Sequence, residues 1–154
     1  MPVLPEPVLP APVIREAVAA DAPRIGALLA ALGYPGTSGF LDGRLAQLLA
    51  HPDAKVLVAE DDEGVKGVLS LHVIPQLALG GDFCRISYFC IDADARGQGI
   101  GQALEGAAVR IAAERACDRI EVHCHARRTE AHRFYERQGY AESPKYLVKS
   151  LAQS

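Results

Sequence analysis

A glycine-rich turn between a strand pattern and a long helix pattern constrains the fold more than any other feature of the chain. Arg96-Gly97-Gln98-Gly99-Ile100-Gly101 follows the apolar strand Phe83–Ile91 and precedes the helix Gly101–Arg115. The first amides of a helix have no partners within it and carry the positive end of the helix dipole, and glycines allow close approach of the backbone to a ligand. The turn therefore predicts a cradle for an anion such as a pyrophosphate. A strand-to-helix turn without a ligand would use the same residues.

The other patterns predict one α/β domain with a mixed sheet. A hairpin is expected at Lys55–Glu60 and Val65–Ile74, because Asp61-Asp62-Glu63-Gly64 lies between two apolar runs. Asp21 is predicted to be the N-cap of a first helix that ends at Gly33. The remaining predicted elements are a strand at Val13–Val18, a helix at Ser38–Ala50, a strand at Arg119–His125, a helix at Glu130–Arg137 and a last strand at Tyr146–Leu151.

Length and composition exclude several classes of protein. The chain has 154 residues, of which 49% are apolar and 23% charged, and these are the values of a folded globular domain. Half of the ten prolines lie in the first twelve residues, so residues 1–11 are expected to be an extended tail and residues 12–154 the domain. No apolar run is long enough for a membrane span. Four cysteines without C-x-x-C spacing are typical of reduced thiols in a cytoplasmic protein.

Charge is distributed unevenly along the chain. The net charge is −3, which argues against a nucleic-acid-binding protein. Basic residues nevertheless outnumber acidic ones after Asp94, whereas acidic residues dominate before it. This asymmetry favours an anionic ligand bound by the later part of the chain, although chance clustering of surface arginines would look the same.

Two familiar phosphate-binding motifs do not fit the glycine-rich turn. A P-loop requires a Lys-Ser or Lys-Thr pair after its last glycine, and Gly101 is followed by Gln102 and Ala103. A dinucleotide-binding site requires G-x-G-x-x-G early in a parallel βαβ unit. Here the spacing is G-x-G-x-G, and it comes late, after an antiparallel meander.

Two sequence blocks resemble the GNAT family of N-acetyltransferases. Residues 91–101 (IDADARGQGIG) contain the acetyl-CoA signature [RQ]-x-x-G-x-[GA], and residues 131–140 (AHRFYERQGY) are similar to the family's A-x-x-F-Y-x-x-x-G-[FY] helix. The blocks occur in the family's order, with a strand between them, and the resemblance covers roughly residues 13–151. It implies a GNAT fold: a mixed, mostly antiparallel sheet flanked by helices.

The resemblance also implies how the cosubstrate acetyl-CoA would be held. The backbone of β-strand residues Phe89, Cys90 and Ile91 would pair with the pantetheine arm like an added strand. The Ile91 amide would bind the thioester oxygen. Arg128 stands where the family often has an asparagine that contacts coenzyme A, so its role there is a departure from the pattern. The predicted pyrophosphate-binding residues are Arg96, Gly97, Gln98, Gly99, Ile100, Gly101 and Gln102.

The predicted catalytic residues are an acid and a base. In the family pattern Tyr135 protonates the coenzyme A thiolate as it leaves, although a tyrosine beside Phe134 could also be a core aromatic. Many relatives have a strand glutamate as the base, and Ser87 stands at that position here. His123, on the later strand, is the candidate base, because an imidazole titrates near neutral pH. His125, His72 and water remain alternatives, and His123 could instead be a structural histidine.

The expected reaction is direct acetyl transfer to a primary amine, most similar to the small-molecule acetyltransferases of the aminoalkylphosphonate type. A protein N-terminal or lysine acetyltransferase is the alternative within the class, and a non-catalytic acyl-CoA-binding module is the alternative outside it. No metal is expected, and Cys90 and Cys124 are expected to be buried structural thiols. A homodimer is a family-level expectation. Candidate wall residues of the acceptor pocket are Tyr34, Phe40, His72 and Tyr146.

Overall fold

A computed structural model of the protein describes residues 11–123, 129–143 and 147–151. They belong to two compact units, residues 1–123 and residues 124–154. The predicted tail at residues 1–11 lies outside the described part except for Ala11. In the described ranges, no helix is both long enough and apolar enough to cross a membrane.

The first unit is built on a five-stranded sheet with strands in chain order. The first four strands pair antiparallel with their neighbours, and the fifth pairs parallel with the fourth, so the predicted mixed, mostly antiparallel sheet is confirmed. The strands are β1 (Val13–Glu16), β2 (Ala54–Asp61), β3 (Gly64–Ile74), β4 (Asp82–Ile91) and β5 (Cys117–Val122), and the helices are α1 (Ala22–Leu32), α2 (Leu41–Ala50) and α3 (Ile100–Glu114).

Each face of the sheet is covered by helices, and the strand alternation decides which residues face which side. Leu57, Leu69 and Leu71 lie in the core that includes Leu104 and Ala108 of α3. Val56, Val58 and Val68 lie in the core that includes Ile25, Leu28 and Leu45 of α1 and α2. Burial on both faces explains why β2 and β3 read as nearly continuous apolar runs.

Several local predictions are wrong, and three of them concern the ends of helices and the last strand. Asp21 precedes α1, but its carboxylate accepts hydrogen bonds from Arg15 (2.8 and 3.0 Å) and from the Val18 amide (2.8 Å) and does not cap the helix. α2 begins at Leu41, because the Thr37 carbonyl accepts the Phe40 and Leu41 amides in a preceding turn. Of the last predicted strand, residues 144–146 lie outside the described part, and residues 147–151 are not in a strand.

The second unit contains the helix α4 (Thr129–Arg137). The helix ends in a Schellman motif: Gly139 has a φ of +93°, its amide donates to the Glu136 carbonyl (3.0 Å), and the Tyr140 amide donates to the Tyr135 carbonyl (3.0 Å). The predicted short helix stopped at Gly139 is therefore confirmed.

Candidate active site

The middle of β4 contains a bulge. Ser70 of β3 lies opposite Tyr88, but the next residue, Leu71, lies opposite Ile86, so Ser87 has no residue across from it in β3. The Ser87 hydroxyl lies 3.2 Å from both the backbone oxygen and the hydroxyl of Ser70. The bulge reverses the alternation of β4, so Cys84 and Ile86 face α3, whereas Cys90 lies in the core with α1 and α2, and Tyr88 meets Tyr34 in the loop after α1.

The pairing of β4 with β5 ends at the same place. The last register pair joins Ile86 to Val122, whereas β4 continues to Ile91. The predicted pantetheine-binding residues Phe89, Cys90 and Ile91 all lie in this continuation of β4. Phe89 and Ile91 are half-buried, and Cys90 is a buried thiol, as predicted.

Asp92 joins the end of β4 to the glycine-rich turn. Its amide donates to the Lys66 carbonyl (2.8 Å), and its carboxylate accepts the Asp94 amide (2.9 Å). Arg24 of α1 forms an ion pair with the same carboxylate and also donates to the Val65 carbonyl (2.7 Å). The Asp94 amide and the Arg24 guanidinium both lower the pKa of Asp92. No sequence pattern indicates this anchor, because Arg24 and Asp92 are 68 residues apart.

The turn itself has the conformation of an anion cradle. Gly97 and Gly99 have φ values of +83° and +79°, in the left-handed region that favours glycine. A Cβ added at either glycine would meet nothing within 4 Å, so the conformation, and not crowding, requires glycine there. Residues 96–99 are exposed, and α3 begins immediately after them at Ile100. The residues of the cradle therefore fit an anionic group that accepts hydrogen bonds from backbone amides.

A close approach of β3 holds the first turn of α3. Ile100 and Leu104 are buried, and a Cβ at Gly67 would lie 2.9 Å from Leu104 Cδ1 and 3.0 Å from Ile100 Cγ2. Only glycine lets the helix come this near to the strand without displacing either side chain. The amides at the start of α3 are thus carried by a turn that is anchored in the core.

A charged cluster lies beside the end of the β4–β5 pairing. Glu121 of β5 lies opposite Arg85 of β4, and its carboxylate contacts Arg85 (3.2 Å) and Arg119 (2.8 Å). Both arginines lower the pKa of Glu121 against the opposing effect of burial. His72 of β3 lies opposite Arg85, and burial, followed by the charges of His51 and Arg85, lowers the pKa of its imidazole. His72 is therefore neutral at pH 7.

Aromatic side chains lie on the same face of the sheet as the charged cluster. The ring of Tyr34, from the loop after α1, meets the ring of Tyr88 edge to face, with centroids 5.4 Å apart. Both tyrosines are about half exposed. Phe40, another predicted wall residue, is exposed directly before α2, and Tyr146 lies outside the described residues.

The candidate acid lies in the second unit. Tyr135 is half-buried on α4, and its ring packs edge to face against Phe134 (5.4 Å) and Tyr140 (5.5 Å). Tyr135 and Tyr140 occupy the two positions of the Schellman motif whose side chains commonly touch. The motif A-x-x-F-Y-x-x-x-G-Y therefore has a structural reason: the glycine turns the chain so that the second tyrosine packs on the first.

The candidate bases are not all within the described structure. His123 is exposed and follows β5 directly, so the predicted strand, which included it, extends too far. His125, Cys124 and Arg128 lie outside the described residues. Among the residues that are described, no group of three His, Cys, Asp or Glu side chains could hold a metal ion.

Comparisons with known proteins agree with this architecture. The model of the acetyltransferase (GNAT) family matches residues 27–140. The aminoalkylphosphonate N-acetyltransferase of Salmonella typhimurium is 30% identical over 140 residues, which cover 90% of each protein. The crystal structure of a transcriptional regulator from Bacillus halodurans C-125 is 28% identical, with a TM-score of 0.83 over 91% of this chain and 99% of that one.

A further solved structure, the ribosomal-protein-alanine N-acetyltransferase of Brucella melitensis, shares the fold at 22% identity, with a TM-score of 0.72 over 91% of this chain and all of that one. The family match covers the bulged strand, the cradle and the α4 motif together. The chain therefore belongs to the GNAT family, and it is an N-acetyltransferase.

Proposed function

We propose that the protein transfers an acetyl group directly from acetyl-CoA to the primary amine of a small molecule. The proposal rests on three successive features: a bulged β4 that continues beyond its last pair with β5, a glycine turn in the left-handed region, and a first turn of α3 that is anchored in the core. The first suits an extended arm that pairs with a strand, and the other two suit a pyrophosphate. Coenzyme A has both parts at adjacent positions.

In the proposed complex, the pantetheine arm lies along Phe89, Cys90 and Ile91, and the Ile91 amide donates to the thioester oxygen. The pyrophosphate lies against residues 96–102. Arg128 is proposed as an additional contact on the strength of the sequence resemblance alone. Because the family model spans both compact units, residues 12–154 are proposed to act as one catalytic domain.

The proposed reaction is a single displacement. The neutral amine nitrogen attacks the thioester carbon, the carbon–nitrogen bond forms, and the carbon–sulfur bond breaks. Tyr135 donates its phenolic proton to the departing thiolate, and the proton of the amine passes to His123. His72 is an alternative base that is already neutral at pH 7, and His125 and water remain further alternatives.

The small-molecule acceptor is favoured by the relative at 30% identity, whose acceptor is an aminoalkylphosphonate. Acetylation of a protein N-terminus is the second candidate, because a ribosomal-protein-alanine acetyltransferase shares the fold. That likeness is in fold alone, so the first candidate stands on firmer evidence. An amine panel and a panel of short peptides, each followed by release of free thiol from acetyl-CoA, distinguish the two.

Cofactor binding is tested first. Acetyl-CoA is expected to raise the unfolding temperature in a concentration-dependent way, and ATP and NAD are expected to give no comparable rise. Gly99→Asp places a carboxylate beside the proposed pyrophosphate and should abolish the rise. A normal rise in this variant would show that the cradle is not the pyrophosphate site.

The acid is tested by Tyr135→Phe, with Tyr140→Phe as a matched loss of one hydroxyl on a neighbouring ring. Tyr135→Phe should leave acetyl-CoA affinity intact and lower kcat by about 10²–10⁴-fold, whereas Tyr140→Phe should leave kcat unchanged. Equal single-turnover rate constants for wild type and Tyr135→Phe would show that Tyr135 is not the acid.

The base is tested through the pH profile of kcat/KM. His123→Ala should shift or remove the acidic limb and leave acetyl-CoA affinity intact, because a free-enzyme base must be deprotonated to act. If the acidic limb of His123→Ala is unchanged and its midpoint follows the pKa of the amine, His123 does not accept the amine proton.

A further inference from the structure

We propose that Arg85 and Arg119 recognise an acidic group on the acceptor, so that the preferred acceptor is an amine that also carries an anion. This inference rests on the proposed function, because it names the acceptor class of the same site. The carrying observation is a pair of guanidinium groups that share one aromatic ring and one carboxylate beside the end of the β4–β5 pairing.

The two arginines are held as a pair. The guanidinium carbons of Arg85 and Arg119 lie 5.3 and 5.1 Å from the centroid of the Phe83 ring. Both also contact the carboxylate of Glu121, Arg85 at 3.2 Å and Arg119 at 2.8 Å. The ring and the carboxylate restrict two long side chains that would otherwise be flexible, and this restriction lowers the entropic cost of binding a ligand.

The charge of the pair is only partly balanced. Two cationic side chains face one carboxylate, and the neighbouring His72 is neutral at pH 7, so the cluster carries an excess of one positive charge. The Asp118 carboxylate accepts hydrogen bonds from the Gly81 amide (2.9 Å) and from Gln76 (3.2 Å), and the excess is counted over Arg85, Arg119 and Glu121 alone. Arginine forks bind carboxylate and phosphonate oxygens with two parallel hydrogen bonds.

Glu121 does not exhaust the donors of Arg85. The Arg85 Nε atom is buried and donates to no acceptor in the described part of the chain. A buried donor left without a partner is costly, so the observed arrangement favours an additional acceptor near this guanidinium. The side chains of Arg85 and Arg119 are 39% and 47% exposed, which leaves both within reach of a small molecule.

The pair is placed on the acceptor side of the proposed reaction. Arg85 immediately precedes Ile86, the last residue of β4 that pairs with β5, and it faces away from α3, as Tyr88 does beyond the bulge. Ser87, at the position where many relatives have a strand glutamate as the base, lies two residues further along β4, on the order of 7 Å along the strand. An acceptor whose amine lies near this position would have an acid a few bonds away within reach of the arginines.

The test compares three acceptors of equal chain length: butylamine, 4-aminobutanoate and 3-aminopropylphosphonate. The variants are Arg85→Gln and Arg119→Gln, and the matched control is Arg110→Gln, at an exposed arginine of α3. Wild type should prefer both acid-bearing amines over butylamine by about ten-fold or more in kcat/KM. Each cluster variant should lose that preference because the KM for the acid-bearing amines rises, while kcat/KM for butylamine stays the same. Arg110→Gln should retain the preference.

Two results would overturn the inference while leaving the proposed function intact. One is a wild-type enzyme that acetylates all three amines equally. The other is a variant that loses activity equally toward all three, because this would assign the arginines to strand pairing alone. If no amine releases thiol although acetyl-CoA binds, calorimetric titration of 3-aminopropylphosphonate decides: binding that Arg119→Gln abolishes supports the arginine pair, and absence of binding to wild type refutes it.

Discussion

Replacement of Gly99 by alanine tests whether the cradle is maintained by backbone conformation. An L-residue in the left-handed region costs about 1–2 kcal/mol, and the added Cβ of Gly99→Ala meets nothing within 4 Å, so no steric term is added. Alanine also lowers the entropy of the unfolded chain, and this offsets about 0.4–1 kcal/mol of that cost. The free energy of unfolding should therefore fall by about 1 kcal/mol or slightly less.

Gly43→Ala is a control of the opposite sign. Gly43 lies within α2, is exposed, and also has open space around its Cβ position. Its φ is not in the left-handed region, so alanine should stabilise the helix by about 1 kcal/mol. The two substitutions are chemically identical, yet their unfolding free energies should differ by about 2 kcal/mol.

Urea unfolding with a shared m-value measures both, and Gly99→Asn completes the series, because asparagine tolerates the left-handed region better than alanine. Acetyl-CoA titrations on the same proteins should show weaker binding only for the position 99 variants. A conformational role for Gly99 is excluded if Gly99→Ala and Gly43→Ala change the free energy of unfolding in the same direction, or if Gly99→Asn lowers it as much as Gly99→Ala.

Three further predictions concern the supports of the site. Gly67→Ala should lower the free energy of unfolding by about 1–3 kcal/mol, because its Cβ would overlap Leu104; a stability equal to wild type would mean that α3 moves away freely. Gly139→Ala should destabilise the end of α4 by about 1 kcal/mol and reduce kcat through Tyr135, as urea unfolding and turnover would show. Asp92→Asn should raise the KM for acetyl-CoA. Because the folded-state pKa of Asp92 is lowered, its stabilising contribution is complete above the ordinary carboxyl pKa of about 3.9 and is lost as the pH falls through the folded value. The stability difference between wild type and Asp92→Asn should therefore disappear in acid, and a difference that persists there would contradict the assignment.

Local sequence signals predicted the elements whose causes are local. The β2–β3 hairpin follows from Gly64 between two apolar runs, and the cradle follows from Gly97 and Gly99 before a helix pattern. The last strand was wrongly predicted from an apolar run in which Leu147, Val148 and Leu151 are in fact exposed. An apolar pattern indicates a strand only where another element covers it.

Features that depend on distant contacts were not predictable. The carboxylate of Asp21 meets Arg15, six residues earlier in β1, and therefore does not cap α1; the capping pattern around Asp21 does not include this residue. The register of the parallel pair β4–β5 places Glu121 opposite Arg85, and strand patterns do not encode register between segments joined by a helix. A motif can identify Gly99, because its role depends on its own backbone conformation. It cannot identify Arg24, whose role depends on an ion pair with Asp92.

The Schellman motif at the end of α4 has a counterpart at the end of α1. There Gly33 has a φ of +112°, the Tyr34 amide donates to the Leu29 carbonyl (2.9 Å), and the Tyr34 ring packs on Tyr88. In both places the backbone of a glycine, and not the chemistry of the ring, sets where the aromatic side chain begins. Position 34, a proposed wall residue of the acceptor pocket, can therefore accept other rings without a change in the chain path, so replacements there would test acceptor preference without disturbing the fold.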